Sequence, residues 1–248
     1  MTTVLGRLTA AAAELVLGSV CAGCEEVPGL LCEACRDSLR GPARTVPAAA
    51  VPVQVTAAAE YAGPAKAAVL AHKEHGRLGL ATPLGDALAT AMVELLESAG
   101  CDWCGSRYVA VVPVPSTRSA VRRRGHDPLA RAARRASAVL RKVGYDCTVV
   151  PALRQRRSVA DQAGLDAAAR RANLAGALAV RGSGRRLLGG RCVVLVDDIV
   201  TTGATLAEAT RALAAADVPV CGAAVVVATT RRSGRLRPVT PTDSARTG

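Results

Sequence analysis

The sequence predicts an α/β fold, a doubly wound parallel sheet preceded by a small N-terminal module built on four cysteines. Three observations carry this. From residue 108 onward, short Val-rich runs, apolar on both faces, alternate with segments of helical periodicity, the grammar of a parallel sheet covered by helices. The run R-C-V-V-L-V-D-D-I-V-T-T-G-A-T-L at 191–206 reads as a buried strand, two carboxylates and a Thr/Gly loop that opens a helix. Ahead of both stands C-x2-C-x7-C-x2-C, the spacing of paired metal knuckles.

Half of the 248 residues are apolar and 21% are charged, so a sizeable core can form and wholesale disorder is excluded. With no Phe, one Trp and three Tyr, that core is expected from Ala, Val and Leu, and few rings remain for stacking bases. No run reaches the roughly 18 apolar residues of a membrane span. The N-terminal apolar stretch is broken by Arg7 and Glu14 and lacks a cleavage site. The expected location is the cytoplasm.

In chain order, Val4, Leu5, Leu8, Ala11, Ala12, Leu15 and Val16 repeat at helical spacing. A Pro-rich connector over 41–56 is expected to be extended and to mark a boundary. Residues 61–75 and 82–99 read as helices, the second opening with Thr82 as cap and Pro83 at its first position. Strands are expected at 108–114, 147–153, 192–196 and 220–228. Helices are expected at 127–143, 161–173 and 204–216. The polar, breaker-rich end is expected to be a disordered tail.

The 191–206 run carries the chemistry. Backbone N–H groups at positions 201–205, with the hydroxyls of Thr201, Thr202 and Thr205, can ring a phosphate at a helix N-terminus, where the partial positive charge favours an anion. Gly203 lets the backbone come close, and Ala204 adds an N–H. Asp197 and Asp198 just upstream would repel that phosphate. They are suited to hydroxyls about one ribose length away, directly or through a hard cation. The pattern therefore describes a sugar 5′-phosphate site. The plain alternative is a strand end followed by a Thr-capped helix.

Cys21, Cys24, Cys32 and Cys35 can turn their sulfurs to one point, a closed S4 site of the structural zinc type. Two disulfides or a redox pair are the alternatives. Cys101 and Cys104 repeat the spacing without further partners and read as free thiols in a loop, while Cys147, Cys192 and Cys221 fall on expected strands. His72 and His75 flank Lys73 and Glu74 without a third ligand, so a solvated helix face is expected there.

The net charge of +12 is concentrated: residues 101–191 hold nineteen basic and five acidic side chains, whereas residues 1–100 hold seven and ten. Between 118 and 135 seven Arg face Asp127 alone. A lobe of this kind favours phosphate-bearing ligands, small or polymeric.

D-D-I-V-T-T-G-A-T resembles the phosphoribosyl pyrophosphate signature of type I phosphoribosyltransferases. The chain as a whole resembles the ComF (GntX-like) family of competence-related proteins, through the cysteine module, V-P-V-P-S (112–116), R-R-R-G (122–125) and the set Gln162, Leu165, Arg170, Asn173 and Gly176. The resemblance implies a type I phosphoribosyltransferase-like domain over 108–230, a helix and zinc module over 1–45, a connector and helical hood over 46–107, and the tail from 231. It implies that Asp197 and Asp198 contact ribose hydroxyls as the catalytic pair and that 201–205 holds the 5′-phosphate. Ser116, Thr117, Arg118 and Arg124 would face the pyrophosphate, with Mg2+ accompanying it if a reaction is catalysed. ComF-like chains also place a lysine where Lys73 stands. His126, Asp127 and Pro128 replace the family's Phe-Asn-Gln. The implied ligand is phosphoribosyl pyrophosphate or a nucleotide, and the implied setting is DNA uptake. The competing expectation is a scaffold or polyanion-binding module that engages single-stranded DNA or the uptake machinery.

Overall fold

The computed structural model describes residues 20–98, 108–156 and 173–229. The expected helix at 4–17, the Cys101/Cys104 loop, most of the 161–173 helix with Gln162, Leu165 and Arg170, and the tail lie outside them.

The central sheet has six strands in the order β1-β2-β8-β7-β3-β4. They are β1 (Arg44–Thr45), β2 (Val55–Glu60), β3 (Tyr108–Pro113), β4 (Asp146–Val149), β7 (Cys192–Val200) and β8 (Gly222–Ala228). Only β1 runs antiparallel to its neighbour. Val109–Val112 of β3, Val194–Val196 of β7 and Ala223–Val227 of β8 are almost wholly buried, so the central strands are apolar on both faces, as a helix-covered parallel sheet demands. A separate antiparallel ribbon joins β5 (Leu153–Gln155) and β6 (Leu178–Val180).

Seven α-helices are described: α1 (Glu33–Asp37), α2 (Gly63–Glu74), α3 (Ala81–Ser98), α4 (Arg118–Arg124), α5 (Pro128–Lys142), α6 (Gly184–Leu188) and α7 (Ala204–Ala214). α3 and α5 pack on each other, α3 over β2 and β8 and α5 over β4 and β3. Their stripes, Leu84, Leu88, Met92 and Leu95 on one and Leu129, Ala133, Ala136 and Leu140 on the other, are buried. α7 packs on β7 and β6.

Several elements differ from expectation. β2 lies within the stretch read as connector and hood, yet it pairs along β8 from Val55↔Ala223 to Glu60↔Ala228. Its V-T-A-A-A-E sequence has too little β-branching to announce a strand; the open edge of β8 supplies the reason to extend. The single strand expected at 147–153 is two strands in different sheets, divided at Val150 and Pro151. Thr82 is not a cap, because a 3-10 turn at Leu78–Leu80 runs straight into α3 and places Thr82 inside it. β7 continues four residues past 196 because Asp197, Ile199 and Val200 keep pairing with β8. Cys147 and Cys192 are core residues; Cys221, ahead of β8, is half-buried.

The cysteine module folds with little apolar core, chiefly Ala22, Leu31 and Leu39. A bridge between Val20 and Pro28 closes its first loop, and Cys32 opens α1. The module sits on both ends of α2. A Cβ on Gly23 would lie 3.0 Å from Pro64 in the first turn of α2. Beyond the last turn, Arg77 Nη2 donates to the Val20 carbonyl at 2.7 Å and to the Gly29 carbonyl at 3.4 Å.

Candidate functional site

β3 leads outward to β4, and the chain then returns to place β7 on the other side of β3. The crevice at the C-terminal ends of β3 and β7 is therefore the topological switch point, where ligands bind in open α/β sheets. A cleft of about 620 Å³ occupies it, within the range of small-molecule sites. Val114, Ser116 and Thr117 line it from the β3 side, and Asp197, Asp198, Thr201 and Thr205 from the β7 side. A second hollow of about 260 Å³ is formed by the 201–205 turn and shares Asp197 with the first.

The acid pair lies on β7 itself, not after its end. Asp197 Oδ1 accepts a hydrogen bond from the Asp198 N–H at 2.8 Å. Burial, and then the neighbouring Asp198 carboxylate, push the Asp197 carboxyl well above the usual carboxylate range. Asp198 faces Lys73 from α2, whose Nζ stands 3.0 Å from Oδ1 and 2.8 Å from Oδ2. Burial alone would lower the Lys73 ammonium, but the Asp198 and Asp197 carboxylates beside it hold it above its ordinary value.

The turn after β7 has the geometry its sequence needs. Gly203 caps α7 with φ +76°, and a Cβ there would meet Val51 Cγ2 at 2.7 Å. Glycine is thus required both by conformation and by the connector packed over it. Thr202 Oγ1 accepts from the Ala204 N–H at 3.4 Å. The N–H groups of Thr205 and Leu206, in the first turn, have no helical partner by construction. Thr201 is exposed and Thr205 half-buried, both on the cleft.

On the opposite wall Thr117 caps α4, its Oγ1 accepting from the Ala120 N–H at 3.1 Å and standing 3.1 Å from Ser119 Oγ. That hydroxyl is largely spent within the loop. Ser116 lines the cleft; the Arg118 side chain lies outside the described residues. Arg124 also lines the cleft, but its Nη2 is clasped by Glu74 Oε1 at 2.7 Å and Oε2 at 2.8 Å. Its buried Nε has no partner.

The end of α2 is thus part of the site; of its residues the sequence marks only Lys73, through the resemblance, and not the roles of Glu74 and His72. His72 is not on a solvated face: it is buried, with Nδ1 3.2 Å from the Arg77 carbonyl and Nε2 3.2 Å from the Pro128 carbonyl. Burial lowers its pKa. The available signal was the stripe Ala65, Ala68, Val69, His72, which turns Lys73 and Glu74 towards the helix edge. Behind the cleft, buried Glu208 on α7 accepts from the Leu178 N–H at 2.9 Å and pairs with Arg211 at 2.7 Å, fixing the β5–β6 ribbon. Burial would raise the Glu208 carboxyl, but Arg211 and that N–H hold it below its ordinary value.

The sulfurs of Cys21, Cys24, Cys32 and Cys35 all lie within 4.8 Å of one another, with Cys24 and Cys32 at 3.9 Å. Four ligands at about 2.3 Å in a tetrahedron put sulfurs about 3.8 Å apart, so the cluster fits a metal ion such as zinc. None of the four is in a disulfide. Burial would raise the Cys21 thiol, but N–H groups aimed at it, including those of Cys32 and Gly23 at 3.3 Å, bring it down to about 6. Burial pushes Cys35 up. Gly23 serves the cluster by close approach: a Cβ would lie 2.6 Å from Cys35 Sγ.

The mostly parallel sheet and its helices make an α/β fold of the phosphoribosyltransferase-like type, with a carboxylate pair and a Thr/Gly turn at its switch point. Residues 128–245 match the model of the family described as phosphoribosyl transferase domain. The matched stretch holds the acid pair and the turn, but not Lys73, β2, β3 or the four-cysteine cluster. No curated protein matches the chain. Among the described residues no helix is long and apolar enough to cross a membrane.

Proposed function

We propose that the chain binds phosphoribosyl pyrophosphate or a nucleotide-type ligand in the switch-point cleft. The observation that carries this reading is the convergence of acid pair, Thr/Gly turn and 114–117 loop on one cleft. The 201–205 turn would take the 5′-phosphate on its N–H groups and hydroxyls. Asp197 and Asp198 would accept from the ribose hydroxyls, and in a transfer reaction would stabilise positive charge developing on the ribose ring. Ser116, Thr117 and Arg118 would face the pyrophosphate. Arg124, held by Glu74, would stand at its edge. Mg2+ on the pyrophosphate would supply charge neutralisation as it departs. Zinc on the four cysteines would be structural, since four thiolates leave no open position.

Calorimetry of zinc-loaded protein with the Mg2+ complex of phosphoribosyl pyrophosphate tests the reading. Binding that Asp198→Asn abolishes is expected; no heat with wild-type protein would overturn it.

The ComF-like role in DNA uptake rests on the resemblance, on the charge lobe, and on the exposure of Arg122, Arg123, Arg131, Arg134 and Arg141 along α4 and α5. Single-stranded DNA affinity should then fall steeply with salt, with a log–log slope near −4 if about six phosphates are neutralised. A flat dependence would remove this second reading.

A further inference from the structure

We propose that Lys73 takes at the acid pair the position a divalent cation would otherwise claim, so that a phosphorylated ribose is held there without a metal on its hydroxyls. The proposal rests on the ribose-binding reading of Asp197 and Asp198 and adds to it which partner, metal or side chain, completes the ribose site. A hydroxyl-binding carboxylate pair can work in two ways, directly or through a hard cation, and the sequence leaves both open. The geometry separates them. Lys73 Nζ reaches both oxygens of Asp198, at 3.0 and 2.8 Å, in the place where a chelated ion would sit. It comes from α2, far from β7 in the chain, and α2 is braced at both ends by the cysteine module, so the ammonium is delivered by packed structure.

The charges agree with this placement. Asp198 is 17% exposed and Lys73 33%, so the pair forms the cleft wall. Asp197 keeps its proton to higher pH than an ordinary carboxyl. The Lys73 ammonium on Asp198 offsets one acid of the pair and so weakens the pull of the site on a dication. Arg124, a guanidinium that also lines the cleft, is occupied by Glu74. An ammonium has three protons. Asp198 takes at most two of them, and a remaining one can donate to a ribose oxygen whose hydroxyl in turn donates to a carboxylate, bridging sugar and acid as a coordinated metal would.

Two measurements on zinc-loaded, full-length protein test this. The first is calorimetry with ribose 5-phosphate, with and without millimolar Mg2+. Wild-type affinity should be the same in both, Lys73→Met should lose roughly tenfold or more without Mg2+ and regain much of it with Mg2+, and Lys73→Arg should stay metal-independent. The second is Mn2+ titration by electron paramagnetic resonance, which needs no sugar. Lys73→Met should gain one Mn2+ that the wild type lacks, and adding Asp198→Asn should remove it. A wild type that needs Mg2+ for ribose 5-phosphate, or a Lys73→Met protein with unchanged affinity and no new Mn2+, overturns the proposal. If ribose 5-phosphate binds in no arm while Lys73→Met still gains Mn2+, the ribose reading falls and the exclusion of the cation by Lys73 stands.

Discussion

The cysteine module and the switch-point cleft obtain their order by opposite means. The module has few buried side chains, and its four sulfurs are drawn together by turns that a metal would lock. The cleft stands on three adjacent strands whose Val, Leu and Ala side chains are almost wholly buried, and its acid pair is positioned by that rigid floor. The contrast teaches that ligation can replace a core where the chain is short, whereas a site needing carboxylates at fixed spacing is built where packing is densest.

The largest effect should come from breaking the module. Cys35→Ser is expected to abolish metal binding, which in small zinc modules carries about 10–16 kcal/mol. Metal analysis with hydrogen exchange should show residues 20–41 unprotected while β3 and β7 stay protected. Loss of protection across all of them would erase the distinction between the regions. Leu195→Ala, in the floor, should cost about 2–5 kcal/mol by denaturant titration and leave the metal content unchanged.

Gly203→Ala should cost about 1–3 kcal/mol, through a positive φ and the contact with Val51, and weaken ribose 5-phosphate binding more than it lowers stability. Equal losses in both would mean that the turn is merely structural.

Asp197→Asn sharpens the comparison through pH. The folded carboxyl titrates above the unfolded one, so the native state holds an extra proton between the two values, and stability falls as pH rises through that interval. Asn keeps the acceptor for the Asp198 N–H and has no proton to lose. Its melting temperature should exceed the wild type's by a few degrees at pH 8 and match it near pH 3. A variant whose melting temperature tracks the wild type at every pH would show that Asp197 is not held protonated.

The smallest effect on stability is expected from Arg77→Ala, which removes the two hydrogen bonds from beyond α2 to the module. It should cost about 1–2 kcal/mol. Its value lies in the readout: metal content unchanged, ribose 5-phosphate affinity lowered. Unaltered affinity would mean that the two regions are independent.

Legibility in the sequence followed local signal strength. The 191–206 run announces strand, acids, turn and helix because each step has its own chemistry, and the structure departs from it only by carrying β7 on to Val200. The cysteine spacing was equally plain. β2 was not legible, since three consecutive alanines lack strand preference and the extended form is imposed by β8. The β5–β6 ribbon, three residues a side, is fixed by tertiary contacts such as the Glu208 bond to Leu178. Lys73 is marked in the sequence only by the resemblance; its pairing with Asp198 is not, because the partner lies on β7 and no local pattern encodes a contact across that separation.

The interleaved strand order bears on how the protein can be cut. β8 is flanked by β7 on one side and by β2, from the early part of the chain, on the other. A fragment beginning at Tyr108 would leave G-A-A-V-V-V-A with one row of amides and carbonyls bare. That segment has no charge and no proline, so the fragment is expected to stack edge to edge into aggregates and to need residues from Arg44 onward to stay dispersed.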